Sequence, residues 1–272
     1  MIELEGVCKN TADGTLFSDL NLRVDTGEVL IVSGASSAGK TTLLHLLFGA
    51  ARPDSGIVNV FGRDVSRLRR SSIALLRRKI GVCPQEIRLL EDRSALENVC
   101  IPLEIRALRR KEIRSRAVEA LAMVGLALVV DEPAARLSSG QRRLVAFARA
   151  VVGEPEILLV DEPTNDLDSI RKDELCSLVE EMRAKNATCI LTTNDTQVIG
   201  AAALCGWRHQ ELRGGKLQVV DFQIPTAAET DVSNGVPNVV PFPYAWGGSG
   251  VSPTNDGVAR DLSGAALGGF AE

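Results

Sequence analysis

Short apolar runs alternate along the chain with longer segments in which apolar residues recur every three or four positions. The runs predict strands, and the longer segments predict helices. Because the two kinds of segment follow one another in turn, the pattern indicates an α/β core. The predicted strands lie near 2–7, 29–33, 57–61, 80–83, 156–161 and 188–193, and the predicted helices near 41–49, 94–100, 111–125, 140–152, 168–185 and 196–203.

One strand-to-helix turn carries the sequence Gly-Ala-Ser-Ser-Ala-Gly-Lys-Thr-Thr at residues 34–42. Glycines let backbone N–H groups approach phosphates, and the N-terminus of the following helix favours negative charge. Lys40 stands where a lysine reaches the outer phosphates, and Thr41 where a hydroxyl ligates magnesium. A Gly/Ser-rich turn without a nucleotide is the alternative, but the flanking strand and the apolar helix favour a nucleoside triphosphate site.

A second candidate motif is an apolar strand at residues 157–160 that ends in Asp161 and Glu162. An aspartate in this place can face a magnesium ion, and a glutamate can activate or orient a water molecule. Between the two motifs lies the sequence Leu-Ser-Ser-Gly-Gln at 137–141.

With these motifs in order, the chain resembles the nucleotide-binding subunits of ABC transporters. The resemblance covers nearly all of residues 1–220, and it implies a P-loop NTPase core of ABC ATPase type with a β-rich N-terminal part and a helical subdomain inserted at about 86–150. The family's motifs appear as the phosphate loop at 34–42, a glutamine loop at 82–86, the signature at 137–141, the acidic strand at 157–162 and Asp-Leu-Asp at 166–168.

Within the family, the chain is most similar to the bacterial cell-division ATPases of the FtsE type. The similarity rests on residues 75–81, 89–93 and 97–103, around the glutamine loop. The lipoprotein-releasing ATPases (LolD) and the macrolide-exporter ATPases (MacB) are neighbouring groups that share much of this sequence.

The resemblance implies that ATP and Mg²⁺ are bound and that two subunits pair head to tail, each ATP lying between one phosphate loop and the partner's signature. Thr41 and Gln85 would ligate magnesium, Asp161 would orient the ion through water, and Glu162 would act on the attacking water. The residues that the resemblance implies at the nucleotide are Gly34, Ala35, Ser36, Ser37, Ala38, Gly39, Lys40, Thr41, Thr42, Gln85, Ser138, Ser139, Gly140, Gln141 and Asp168.

The chain departs from the family at several of these positions. Asn194 replaces the switch histidine; its amide can donate a hydrogen bond but cannot carry a positive charge. Either asparagine is a tolerated substitute in a working enzyme, or hydrolysis is slow or absent. Thr11 replaces the aromatic residue that stacks on adenine, which predicts weaker ATP affinity. Ser37 and Ser139 replace glycines, which would matter if either residue needed a positive φ.

Composition supports an intracellular chain with one ATPase core. Six cysteines show no paired close spacing, which favours reduced thiols over disulfides, and the two histidines are too far apart for a metal cluster. His45 is expected to pack on the helix after the phosphate loop. No apolar run approaches the roughly 20 residues that cross a bilayer, and no export signal is expected, so the chain should be peripheral at the cytoplasmic face of the inner membrane.

Charge is unevenly distributed along the chain. Residues 63–116 hold 15 Lys or Arg against 7 Asp or Glu. This stretch could face anionic headgroups or a membrane partner, or it could be an ordinary solvated surface. Nucleic acid is not expected, because aromatic residues make up only 4% of the chain.

Residues 221–272 differ from the rest in composition. They hold five prolines, eight glycines, six acidic residues and one basic residue, which predicts a low-complexity tail that does not fold. An aromatic cluster at 239–246 within it is either a chance grouping or a short docking segment.

Three functions remain open at this point. In the first, the chain is an ATP-hydrolysing, FtsE-like homodimer that drives an FtsX-like integral membrane protein in cell division. In the second, it is a nucleotide-gated scaffold with negligible hydrolysis. In the third, it is the ATPase of a lipoprotein-release or small-molecule export complex.

Overall fold

The computed structural model describes residues 1–12 and 14–220; the predicted tail at 221–272 lies outside the described residues. The strands are β1 (Ile2–Thr11), β2 (Gly14–Val24), β3 (Val29–Ser33), β4 (Ser55–Val60), β5 (Arg63–Asp64), β6 (Ile80–Cys83), β7 (Ile157–Asp161), β8 (Thr188–Thr192), β9 (Arg208–Arg213) and β10 (Lys216–Val219). The α-helices are α1 (Lys40–Leu47), α2 (Arg70–Arg77), α3 (Ala95–Ile105), α4 (Arg110–Met123), α5 (Ser139–Val151), α6 (Ser169–Ala184) and α7 (Thr196–Leu204).

The strands form two sheets. An antiparallel sheet has the order β2-β1-β4-β5, and a larger sheet has the order β10-β9-β3-β8-β7-β6. In the larger sheet β9, β3, β8, β7 and β6 are parallel, and β10 pairs antiparallel with β9 at one edge. The fold is therefore the predicted α/β core with a β-rich N-terminal part.

The two faces of the parallel sheet bury different cores. Leu30 and Val32 of β3 point into a cluster with the antiparallel sheet and α1. Val29 and Ile31 point into a second cluster, which they share with α3 to α7. Successive side chains of a strand alternate between faces, and both faces are covered here, which is why β3, β7 and β8 appear in the sequence as unbroken apolar runs.

Helices α3, α4 and α5 pack on one another at one side of the larger sheet. Helix α3 was predicted to end near residue 100, but it continues to Ile105 through Pro102. Proline removes one backbone hydrogen bond. Leu103, which is fully buried, holds the last turn in the helical core and outweighs that loss.

Several elements escaped the sequence analysis. Strand β2 was missed because two consecutive exposed residues, Ser18 and Asp19, break the alternation between Phe17 and Leu20, and Asp19 has a φ of 59°. Helix α2 was missed because Leu76 is its only buried residue. The β9–β10 hairpin was missed although Gly214 and Gly215, both at positive φ, give a common hairpin signal. Within the described residues, no helix combines the length and the apolar character needed to span a membrane.

Candidate nucleotide site

The phosphate loop joins β3 to α1, and two of its glycines have backbone conformations that side chains rarely adopt. Gly39, the N-cap of α1, has a φ of 101°, and Gly34 has a φ of 145°. A Cβ on Gly34 would lie 2.5 Å from the carbonyl oxygen of Leu212 in β9. The missed hairpin therefore packs against the loop, and glycine at position 34 is what allows the approach.

Lys40 is the most buried charged residue of the loop, with 5% of its side chain exposed. Its Nζ donates a hydrogen bond to the Gly34 carbonyl at 2.7 Å. The same Nζ lies 3.2 Å from Oε1 of Glu162. The predicted phosphate-binding lysine and the predicted catalytic carboxylate thus meet at one point.

Thr41 and Asp161 meet in the same way. The Thr41 hydroxyl donates to Oδ2 of Asp161 at 2.6 Å, and the buried Thr192 hydroxyl donates to Oδ1. A hydroxyl and a carboxylate are the oxygen donors that Mg²⁺ accepts, and Mg²⁺ commonly completes its octahedron with water and substrate phosphates. Among residues 1–12 and 14–220, no group of three or more His, Cys, Asp or Glu could hold a metal alone. The donor set therefore fits a magnesium ion that arrives with a nucleotide.

Glu162 directly follows β7 and has a φ of 44°, in the left-handed region. A non-glycine residue held there costs about 1–3 kcal/mol, and such conformations cluster at active sites. The backbone N–H of Glu162 donates to the Thr192 carbonyl at 2.9 Å. This bond to β8 helps to hold the turn that brings the carboxylate to Lys40.

Asn194 lies at the end of β8, where its Oδ1 accepts a hydrogen bond from the Gly34 N–H at 3.0 Å. The segment after it is tied to α6, because Lys172 Nζ lies 2.7 Å from Asp195. Burial would raise the pKa of the Asp195 carboxyl, but hydrogen bonds from Lys172, Thr164 and Gln197 outweigh it and hold the pKa below its ordinary value. The hydrogen bond to Gly34 thus anchors the Asn194 amide on the phosphate loop, and the ion pair of Asp195 with Lys172 holds the segment that follows.

Gln85 lies after β6 on the rim of a cleft of about 610 Å³, which Thr41 and Asp161 also line. His45 lines the same cleft. It is exposed and makes an edge contact with Phe48, so the residue expected to pack on this helix does so at the surface and not in the core. The reason is its position on the outer face of α1, whose inward face is filled by leucines.

The signature segment lies apart from these residues. Ser138 caps α5: its Oγ accepts from the Gln141 N–H at 3.2 Å, and Oε1 of Gln141 accepts from the Ser138 N–H at 2.9 Å. This reciprocal pair is a capping box. Ser138 and Ser139 are exposed, Gly140 packs against the backbone of Asp166, and Asp168 caps α6 at its exposed N-terminus.

The structure thus brings only part of the predicted site together. It joins the phosphate loop, Asp161, Glu162 and Asn194, with Gln85 at the rim. No hydrogen bond or ion pair within the described residues links the phosphate loop to the remaining predicted residues, which are Ser138, Ser139, Gly140, Gln141 and Asp168.

Residues 17–165 match the family model described as "ABC transporter". The chain belongs to the ABC transporter family. The match spans more than half of the chain, and the fold and the ordered motifs agree with it. The chain is accordingly an ABC ATPase domain, and the prediction of an ATP-hydrolysing enzyme is confirmed.

Individual ABC relatives give the same result. The chain is 38% identical over 197 residues to the "Lipoprotein-releasing system ATP-binding protein LolD" of Bacteroides fragilis (strain YCH46), covering 72% of this chain and 91% of that protein. It superposes with a TM-score of 0.75 and 30% identity on the ATP-binding cassette MJ0796 bound to ADP and Pi, covering 80% and 97% of the two chains. It also superposes on cbiO1 of Clostridium perfringens with a TM-score of 0.70 and 29% identity, covering 80% of this chain and 86% of that chain.

The departures from the ABC pattern can now be placed. Neither Ser37 nor Ser139 has a positive φ, and Ser139 is the first residue of α5, so neither serine strains the backbone. Thr11 lies exposed at the end of β1 and donates to the Gly14 carbonyl at 3.1 Å. It offers no ring on which a base could stack.

Two features of the site were missed by sequence analysis. One is the β9–β10 hairpin, which contributes to a cavity of about 400 Å³ beside Ser37 and Ala38 of the phosphate loop. The other is Arg143, a buried arginine of α5 that reaches the glutamine loop. The hairpin carried a Gly-Gly signal, whereas an arginine next to another arginine in a polar part of α5 gave no sign of burial.

Proposed function

We propose that two copies of this chain pair head to tail and enclose two ATP molecules. Each ATP would lie between the phosphate loop of one copy and residues 138–141 of the other. The observation that carries the proposal is that direct contacts join Lys40 to Glu162 and Thr41 to Asp161, whereas Ser138 and Ser139 of the signature are exposed and, within the described residues, share no hydrogen bond or ion pair with the phosphate loop. The capped N-terminus of α5 offers backbone N–H groups and a positive dipole end to a phosphate.

Each residue of the first half has a role that its position supports. Lys40 would hold the outer phosphates, Thr41 and Gln85 would ligate magnesium, and Asp161 would orient the ion through water. Magnesium bound there would supply neutralisation of phosphate charge. Glu162 accepts the proton of the attacking water or orients that water, which requires that its carboxylate leave Lys40 for hydrogen-bond reach of the water.

Turnover is expected to be slow, because Asn194 replaces the residue that could carry a positive charge beside the γ-phosphate. The amide remains a hydrogen-bond donor, and its bond to Gly34 keeps it at the loop. The alternative to a slow enzyme is a scaffold that binds ATP but does not hydrolyse it. The intact set of Lys40, Thr41, Asp161 and Glu162 favours the slow enzyme.

The chain would act at the cytoplasmic face of the inner membrane on a separate integral membrane protein. Similarity to the LolD protein of Bacteroides fragilis favours a complex that releases lipoproteins. The alternative is an FtsE-like role in cell division with an FtsX-like partner, which residues 75–81, 89–93 and 97–103 support. The membrane subunit that co-purifies with the tagged chain from its own cells decides between the two.

Steady-state phosphate release tests the enzymatic part. Wild-type protein should release phosphate from ATP only when magnesium is present, and Lys40→Ala should abolish the release. A wild-type rate equal to that of Lys40→Ala and of Glu162→Gln would contradict hydrolysis and leave the scaffold.

A further inference from the structure

Arg143 lies in the second turn of α5 with only 4% of the residue exposed, although it carries a full charge. Its Nη1 donates to the carbonyl oxygen of Gln85 at 2.9 Å and to that of Pro84 at 3.4 Å. Its Nη2 lies 4.0 Å from Oδ2 of Asp166. One side chain therefore contacts both the glutamine loop and the segment that follows Glu162.

The glutamine loop depends on such contacts, because residues 84–88 form no strand or helix. A second arginine of α5 supports the far end of this segment: Nη1 of Arg149 donates to the Arg88 carbonyl at 2.9 Å. Backbone carbonyls that lack a strand partner are thus bonded to guanidinium groups, which make strong charge-assisted hydrogen bonds. Residues 84–88 are therefore bonded to α5 at both ends.

We propose that Arg143 is a positioning residue that couples the two halves of the nucleotide site within one subunit. The N-terminus of α5 carries the signature, which contacts the ATP of the partner copy, whereas Arg143 on the same helix holds Gln85 beside the magnesium side of its own copy's site. A shift of α5 on dimer closure moves Gln85 with it. This inference rests on the proposed pairing of two copies.

The ion pair between Arg143 and Asp166 agrees with such a shift. At 4.0 Å it is at the long limit for an ion pair, while the bond to Gln85 is short. Asp166 has a φ of 65° and packs its backbone against Gly140. The guanidinium group therefore lies between Gln85 and Asp166, and the signature contacts it only through the packing of Gly140 on the Asp166 backbone.

The test compares Arg143→Met with Arg142→Met. Methionine keeps most of the aliphatic length of arginine and removes all donors. Arg142 is a matched control, since it precedes Arg143 on α5 and also makes a backbone and a carboxylate contact, but with Ala134 and Glu91 instead of the glutamine loop. Phosphate release is measured against magnesium concentration, and binding of ATP is measured with and without magnesium.

Arg143→Met should raise the magnesium concentration needed for half-maximal release by about tenfold, as expected for loss of buried charged hydrogen bonds. ATP binding without magnesium should stay within about twofold, because the phosphate loop is untouched. Arg142→Met should leave both quantities within about twofold of wild type. The proposal would be overturned if Arg143→Met and Arg142→Met showed the same magnesium dependence of phosphate release. It would also be overturned if Arg143→Met weakened ATP binding without magnesium by as large a factor as it raised the magnesium requirement.

Arg143→Lys covers the case in which Arg143→Met does not fold, as judged by thermal unfolding. Lysine keeps the charge but lacks the fork that serves two carbonyls, so an intermediate shift of about threefold is expected. A folded lysine variant with wild-type magnesium dependence would then overturn the proposal. If instead the proposed function were wrong, the wild-type protein itself would show no magnesium-dependent release of phosphate, which distinguishes that outcome from a failure of the Arg143 proposal.

Discussion

At the scale of single residues, the site combines features that agree with its chemistry and two replacements, Asn194 and Thr11, that we expect to weaken it. Lys40 and Glu162 are nearly buried and 3.2 Å apart, so each holds the other in place until a nucleotide competes for the lysine. Asn194 is bonded to Gly34 and can follow the loop. Unlike the histidine that it replaces, Asn194 cannot carry a positive charge, so it is the most informative position to change.

Asn194→His should raise the rate of ATP hydrolysis by at least about tenfold, because imidazolium can stabilise negative charge on the γ-phosphate and an amide cannot. Phosphate release at saturating magnesium-ATP is the measurement. Asn194→Ala is the control and should lower the rate. If both variants turn over at the wild-type rate, residue 194 does not contact the phosphate.

Thr11→Tyr should tighten ATP binding, because stacking of a base on an aromatic ring contributes roughly 1–3 kcal/mol, or about 5- to 150-fold in affinity. Calorimetric titration of ATP without hydrolysis measures the change. Thr11→Val, which adds no ring, should leave the affinity near that of wild type. An unchanged affinity in the tyrosine variant would mean that the base does not lie over the end of β1.

At the scale of elements, the parts that were predictable are those whose local pattern matches their burial. Strand β3 and helix α1 belong to this group, since apolar residues and turn glycines lie next to each other in the chain. Strand β2 and helix α2 do not, because Asp19 breaks one pattern and exposed arginines fill the other. Arg143 could not be found from the sequence, since its burial arises from contacts with residues 58 and 59 positions away.

The two capping boxes provide a matched test of α5. Ser94 caps α3 and Ser138 caps α5, and in both the hydroxyl accepts a hydrogen bond from a backbone N–H at 3.2 Å. Ser94→Ala and Ser138→Ala should each lower the free energy of unfolding by about 1 kcal/mol. Only Ser138→Ala should also weaken ATP-driven dimerisation, as measured by sedimentation. Equal dimerisation in both variants would remove Ser138 from the interface.

The stability of the folded protein should depend on pH through a contact between β3 and β9. Nε2 of His209 lies 2.8 Å from the Ser33 hydroxyl, and burial lowers the pKa of His209 although the nearby Glu211 carboxylate opposes the shift. A pKa lowered in the folded state favours the neutral imidazole. Its stabilising contribution is complete above the ordinary value of about 6.5 and is lost as pH falls through the lower folded value.

Thermal unfolding between about pH 7 and pH 5 checks this expectation. The wild-type midpoint should fall with pH over this window, and His209→Gln should show a smaller fall. His45→Gln, which makes the same substitution at an exposed histidine, is the control variant. If the unfolding midpoint of His209→Gln fell with pH as steeply as that of wild type, the pH dependence would come from other groups.

At the scale of the whole molecule, the proposed pairing requires two half-sites on one chain. The sheet brings the ends of β3, β7 and β8 together, which places Lys40 beside Asp161, Glu162 and Asn194, all more than 100 positions further along the chain. The order of motifs was enough to predict this half. The join between the halves was available only by resemblance, because it lies between molecules and leaves no pattern within one chain.

The most direct test of the composite site is the mass of Glu162→Gln in saturating magnesium-ATP. The carboxamide keeps the size of the side chain but cannot accept a proton, so hydrolysis stops and ATP stays between the two copies. Light scattering should then give twice the monomer mass of 29.1 kDa, and removal of ATP or the additional change Ser138→Ala should return the protein toward monomer. A protein that stays monomeric while its phosphate loop is saturated with ATP would contradict the account.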